Sequence, residues 1–251
     1  MLSKAEPNRS KKVKVFCFPY AGGSAQEFSP WTKYRSEHLE LVPVEIPGRG
    51  RRFGEESHRS LKTLVPALAR EIQTATDGLF AFFGHSMGAL LVFELCRFMR
   101  QSGATLPVCL FISGSKAPHL AYIPPASRWY NSALPEFVGH LRSYAGCPPE
   151  MLENPELMEV VLPYLRADLG IAQSYEFHSG DPLPIPICAF GGDCDPHVSI
   201  EDVQAWLHHT TSNFHCTILP GDHFFFRAWQ PELLHHIASC VLSRMAVTSA
   251  A

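Results

Sequence analysis

Charged residues make up only 18% of this 251-residue chain, and neither sign dominates: 21 Lys plus Arg against 24 Asp plus Glu leave a net charge of −3 with His neutral. The missing basic excess argues against a nucleic-acid binder. With 46% of residues hydrophobic, the missing charge also excludes a disordered chain. There is no C-x-x-C and no tight Cys/His cluster of zinc-site spacing, so no metal is expected. The opening MLSKAEPNRSKKVK lacks an apolar stretch of the signal-peptide kind. The 8 cysteines lack the layout of a disulfide scaffold, and several, such as Cys17, Cys96 and Cys109, lie in apolar runs. They read as buried thiols of a cytoplasmic protein. Leu79 to Cys96 has the length of a membrane span, but His85, Ser86, Glu94 and two glycines interrupt it, so no membrane segment is expected. Repeats, low-complexity tracts and linkers are absent, and the length suits one domain over 1–251.

What is present is an alternation of strands and helices. Apolar runs predict strands at Val13–Phe18, Leu39–Ile46, Leu79–Phe83, Val108–Ser113, Ile185–Phe190 and Phe214–Leu219. Helical spacing joins Phe28 and Trp31, and again Leu61, Leu64, Val65, Leu68 and Ile72. Pro66 is best tolerated in a first turn, which puts the start of that helix near Thr63. Further helices are expected at Ala89–Gln101, Ile200–His209 and Pro231–Arg244. The order implies an α/β fold with a mostly parallel sheet and helices on both faces. From about Pro118 to Pro184 the rhythm breaks into helical patterns at Pro135–Tyr144, Pro155–Leu165 and Ala167–Tyr175, read as a helical insertion over the carboxyl ends of the strands.

Chemistry concentrates in three loops. Gly84-His85-Ser86-Met87-Gly88 is a G-x-S-x-G between a strand and an apolar helix, the context in which a serine projects from a sharp turn as a nucleophile. Such a serine needs a base, and the base an orienting carboxylate. In the α/β-hydrolase arrangement these follow in the order acid then histidine, each after a later strand. Gly221-Asp222-His223-Phe224 follows the last predicted strand and supplies His223 as base. Gly191-Gly192-Asp193-Cys194-Asp195-Pro196 supplies the acid: Asp195, with room to turn back toward His223, or its rival Asp193. Asp222 adjoins the histidine too closely to orient its ring and reads as a loop hydrogen-bonding residue. Backbone N–H groups for an oxyanion are expected from Met87 and from the first loop, Tyr20-Ala21-Gly22-Gly23-Ser24, with Ala21 as donor and Tyr20 as the alternative.

With FCFPYAGGSA, VEIPGRGRRFGEE, FFGHSMGALLVFELC, FGGDCDPHVS, LPGDHFFF and the helical stretch 134–169, the chain resembles the type II thioesterases, stand-alone α/β-hydrolases that work beside polyketide and nonribosomal peptide synthetases. The resemblance spans nearly the whole chain and departs at Tyr20, where many members carry His. It implies a catalytic Ser86, Asp195 and His223, oxyanion donors at Met87 and Ala21, and hydrolysis of acyl thioesters on the phosphopantetheine arm of carrier proteins. The partners implied are acyl or peptidyl carrier domains acting in trans on a monomer that needs no cofactor. An oxygen-ester hydrolase or acyltransferase using the same triad is the alternative, and an inert binding fold is disfavoured because all three triad residues are present. The insertion would act as a lid, with Phe137, Leu141, Tyr144, Met151, Leu157 and Met158 as possible walls of an acyl chamber or as helix-on-helix packing. Arg49, Arg51 and Arg52 either meet a carrier's acidic surface or form a solvated loop paired with Glu55 and Glu56.

Overall fold

The computed structural model describes residues 12–248 apart from Arg35 and Ala145, with side chains to Met245. The polar tail read before Val13 lies, except for Lys12, outside the described residues. Six strands form one parallel sheet in the order β2-β1-β3-β4-β5-β6: β1 Val13–Phe18, β2 Leu39–Pro43, β3 Phe80–His85, β4 Leu110–Ser113, β5 Ile187–Gly192 and β6 Phe214–Leu219. Parallel neighbours require crossovers, which the helices provide.

Strand periodicity divides the core between the two faces of the sheet. Phe16, Phe18, Phe80, Phe82, Leu110, Ile112, Ile187 and Ala189 point to one face, under α1 (Leu61–Ala75) and α2 (Met87–Gln101). Val15, Cys17, Ala81, Phe83, Phe111, Cys188 and Phe190 point to the other, under α7 (Gln230–Thr248) and the 3-10 segment Ala25–Lys33. Alternate residues of a strand face opposite ways, so strands apolar throughout must be covered on both sides. Among the described residues no helix is long and apolar enough to cross a membrane.

Several boundaries differ from the sequence reading for local reasons. Helix α1 starts at Leu61, not near Thr63, because Ser60 caps it with an Oγ that accepts from Lys62 N–H at 3.1 Å. Pro66 therefore lies inside the helix. Strand β2 stops at Pro43, before Ile46, although Val44 N–H still donates to Cys17 C=O at 2.9 Å. Strands β3 and β5 run on to His85 and Gly192, so the serine and acid loops begin directly at strand ends.

Between β4 and β5 lie α3 (Leu134–Tyr144), α4 (Pro149–Leu152) and α5 (Pro155–Gln173). The two patterns read at Pro155–Leu165 and Ala167–Tyr175 are one helix, started by Pro155 after an Asn154 cap that accepts from Glu156 and Leu157 N–H. The segment predicted as one helix at Ile200–His209 is α6 (Ile200–Gln204) tightening into a 3-10 turn over Ala205–His209. The inserted helices have a core of their own, in which Phe137, Leu141, Met158 and Leu165 are buried together.

Candidate active site

Ser86 stands between the end of β3 and the first turn of α2 with φ 54 and ψ −115, the one non-glycine residue with positive φ among those described. Backbone strain of this kind persists only where the surroundings impose it. Here the crossing of β3 and α2 does so. A Cβ on Gly84 would lie 2.3 Å from Gly88 C=O oxygen, and one on Gly88 would lie 2.4 Å from Phe18 C=O oxygen. Both glycines of the motif are thus set by backbone approach, and Ser86 N–H is anchored to Ser113 C=O at 2.8 Å. Gly84→Ala is expected to destabilise the protein by about 3 kcal/mol through this clash, lowering Tm by roughly 6–12 °C; a melting curve checks it.

From this elbow Ser86 Oγ reaches His223 Nε2 at 3.1 Å, and His223 Nδ1 lies 2.7 Å from Asp195 Oδ2. The other Asp195 oxygen accepts from His197 N–H at 2.8 Å and Val198 N–H at 3.2 Å. Burial pushes this carboxyl up, but the His223 ring and the two backbone N–H groups outweigh it and hold it below the ordinary carboxylate range. An Nδ1–H given to Asp195 leaves Nε2 free to take a proton from Ser86. Asp193 instead is exposed and accepts from Gly221 N–H at 2.9 Å, bracing the acid loop against the histidine loop. Asp222 accepts from Phe224 N–H at 2.8 Å within its own turn. The structure brings Asp195 to the histidine and leaves the other two aspartates in loop hydrogen bonds.

Beneath the histidine lies His85, fully buried, its ring 5.2 Å from that of His223 and its Nδ1 2.9 Å from Ser113 Oγ. Burial, then the neighbouring His223 and Arg227, hold His85 well below the ordinary histidine range, so it packs beside His223 as a neutral ring. Tyr20 packs edge-on against Phe224 at 4.9 Å and its hydroxyl accepts from Arg227 at 2.7 Å.

Ala21, Met87, Ser86 and His223 line one cavity of about 450 Å³. Met87 is the first residue of α2, where backbone N–H groups have no partner within the helix. The inserted helices supply the facing wall with Leu141, Tyr144, Leu169 and Gln173. Tyr144 lies flat on His197 with centroids 3.9 Å apart, joining the insertion to the acid loop. Of the residues weighed as chamber walls, only Leu141 and Tyr144 reach the cavity. Phe137, Met151 and Met158 pack among the inserted helices, and Leu157 is exposed.

Two features escaped the sequence reading. Arg49 is no surface residue: it is 2% exposed and forms a forked ion pair with Asp168 of α5, itself 1% exposed. Arg52 pairs with Glu55 as expected, but with Glu71 of α1 in place of Glu56, while Arg51 is exposed. A charge among apolar residues in VVLPYLRADLGIA was the available signal for Asp168. The second feature is a thiol group. Cys188 and Cys240 Sγ are 3.0 Å apart, and Cys109 Sγ is 3.8 Å from each, close enough to share a metal ion. The three come together from positions far apart in the chain, where spacing rules do not look. They lie in the core between the sheet and α7, away from the cavity lining. Cys17, Cys96, Cys109 and Cys188 are buried as expected, but Cys147, Cys216 and Cys240 are half-buried and Cys194 in the acid loop is exposed.

A parallel sheet, a strained serine between strand and helix, and an acid and a histidine on loops after later strands together define an α/β-hydrolase. Comparison with known proteins narrows the class. The chain belongs to the thioesterase domain family, whose model matches residues 13–240. It is 40% identical to the gramicidin S biosynthesis protein GrsT of Aneurinibacillus migulanus over 92% of this chain and 89% of that protein. Among solved structures it is similar to RedJ, a thioesterase from the prodiginine pathway of Streptomyces coelicolor (TM-score 0.82, 34% identity, covering 94% of this chain and 96% of that one). It is equally similar to YbtT, a type II thioesterase from the yersiniabactin NRPS/PKS pathway (TM-score 0.82, 32% identity, 96% of each chain).

Proposed function

We propose that this protein is a type II thioesterase that hydrolyses acyl groups held as thioesters on the phosphopantetheine arm of carrier proteins, clearing aberrant or stalled units from nonribosomal peptide or polyketide assembly. The observation that carries the reading is the Ser86–His223–Asp195 relay opening on an acyl-sized cavity in a chain of the thioesterase family. The pathway setting rests on relatives such as GrsT and YbtT.

In the proposed reaction His223 Nε2 takes the Ser86 proton as Oγ attacks the thioester carbonyl carbon. Ala21 and Met87 N–H receive the oxyanion, whose charge the amino end of α2 also favours. The tetrahedral intermediate collapses to an acyl-serine, and the pantetheine thiol leaves with the proton from His223. Water then gives a proton to His223 and attacks the acyl-serine; as the C–Oγ bond breaks, His223 returns that proton to Oγ, freeing the acid and restoring Ser86. Every group in this cycle comes from the chain or from water, so the proposal includes no cofactor. We assign the inserted helices, about 118–184, the role of a lid within one domain, and a carrier protein in trans as the partner of a monomeric enzyme.

The test offers the purified protein an acyl carrier protein loaded through phosphopantetheine, the matching acyl-N-acetylcysteamine and the corresponding ethyl ester. Thioester turnover exceeding oxygen-ester turnover, with the carrier-bound substrate preferred, is the expected outcome. Oxygen-ester rates far above both thioester rates would replace this reading with an esterase using the same triad.

A further inference from the structure

The loop carrying Ala21 is fixed by a device outside the triad. Gly23 N–H donates to Tyr20 C=O at 2.9 Å, and Gly22 has φ 83. These are the marks of a type II turn over Tyr20–Gly23 with glycine at its third position. The peptide linking Tyr20 to Ala21 is planar and trans, so the bond to Tyr20 C=O also sets the direction of Ala21 N–H.

What holds the turn is the buried pair. Asp168 Oδ2 accepts from Gly22 N–H at 2.7 Å, and Arg49 Nη1 donates to Gly23 C=O at 3.1 Å. Both guanidinium nitrogens of that fork also donate to the Asp168 carboxylate, and the Arg49 guanidinium lies 5.0 Å from the Tyr164 ring centroid. The bonds to Gly22 N–H and Gly23 C=O anchor the Ala21–Gly22 and Gly23–Ser24 peptides to α5 and the buried guanidinium, and so fix where the turn, and Ala21 N–H with it, stands beside the cavity. Leu165, whose Cδ2 would lie 2.3 Å from a Cβ on Gly22, closes the space a side chain there would need.

We propose that Arg49 and Asp168 are positioning residues that hold the Tyr20–Gly23 turn in the place where Ala21 N–H meets the oxyanion, making α5 part of the transition-state machinery. This rests on the function proposed above. Two buried charges are a poor choice for stability alone, because apolar residues of similar size often serve as well. A role in fixing one backbone geometry accounts for them.

The test is the double variant Arg49→Met/Asp168→Leu, which strands no charge, studied beside Asp168→Asn and Arg49→Lys. With acyl-N-acetylcysteamine as substrate, the double variant is expected to lose roughly 10–100-fold in kcat, the scale of a misplaced oxyanion donor, with KM within about twofold. Its affinity for an alkyl boronic acid, which forms a tetrahedral adduct on Ser86, should fall by a similar factor, with folded fraction verified by circular dichroism at the assay temperature. Arg49→Lys keeps the charge without the fork and should fall between wild type and the double variant. A folded double variant with wild-type kcat and boronate affinity would overturn the proposal. Boronate binding that survives Ser86→Ala would instead remove the nucleophile assignment on which it stands.

Discussion

Ser86→Ala is expected to reduce thioester turnover on the order of 10⁶-fold, the scale seen when a triad nucleophile is removed and only binding and oxyanion contacts remain. The loss should fall on kcat, because the cavity walls and the Ala21 and Met87 backbone groups are untouched. The fold should survive, since alanine places the same Cβ at φ 54 that serine already tolerates. Intact-mass spectrometry after mixing with an acyl thioester gives the direct measurement. The wild type should carry a transient acyl adduct and the variant none. An adduct on Ser86→Ala, or turnover within tenfold of wild type, would place the nucleophile elsewhere.

The second large effect separates the two aspartates of the acid loop. Asp195→Asn is expected to lower kcat about 10³–10⁴-fold, because an amide can donate to His223 Nδ1 and so leave the proton on Nε2, where Ser86 needs an acceptor. Asp193→Asn should stay within a few-fold, since its partner is Gly221 N–H and a side-chain carbonyl can still accept that bond. Comparable losses in the two variants would contradict the relay. Stability should also respond to pH with a definite sign. The Asp195 carboxyl is held below its ordinary range, so its contribution is fully present above about pH 4. It is lost as the pH falls through the lower, folded-state value. The gap in denaturation midpoint between wild type and Asp195→Asn should therefore be full at neutral pH and narrow in stronger acid.

Much of this site is legible in the chain because its parts are local. The G-x-S-x-G glycines answer to close backbone approaches next to the serine, and the acid and histidine loops follow strands whose apolar runs announce them. Element ends were less legible, since a cap such as Ser60 outweighs the preference of Pro66 for a first turn. The arginines of PGRGRR show a stricter limit. Nothing local distinguishes Arg49, forked onto Asp168 inside the protein, from Arg52, which pairs with Glu55 and Glu71 near the surface.

The sequence by itself determined the parallel α/β layering, through apolar runs too continuous to face water on either side, and singled out, through glycine-flanked turns at strand ends, the serine and histidine that the fold brings within hydrogen-bond reach. Loop length favoured Asp195 over Asp193 as the histidine's partner, and the fold brings it there; tertiary structure alone decided which inserted residues wall the cavity, and that a carboxylate 146 residues away pins the loop at Gly22. The reason is physical. Periodicity and turn chemistry act over a few residues, whereas partners such as Arg49 and Asp168 are chosen when folding removes both charges from water and leaves each the other's principal partner.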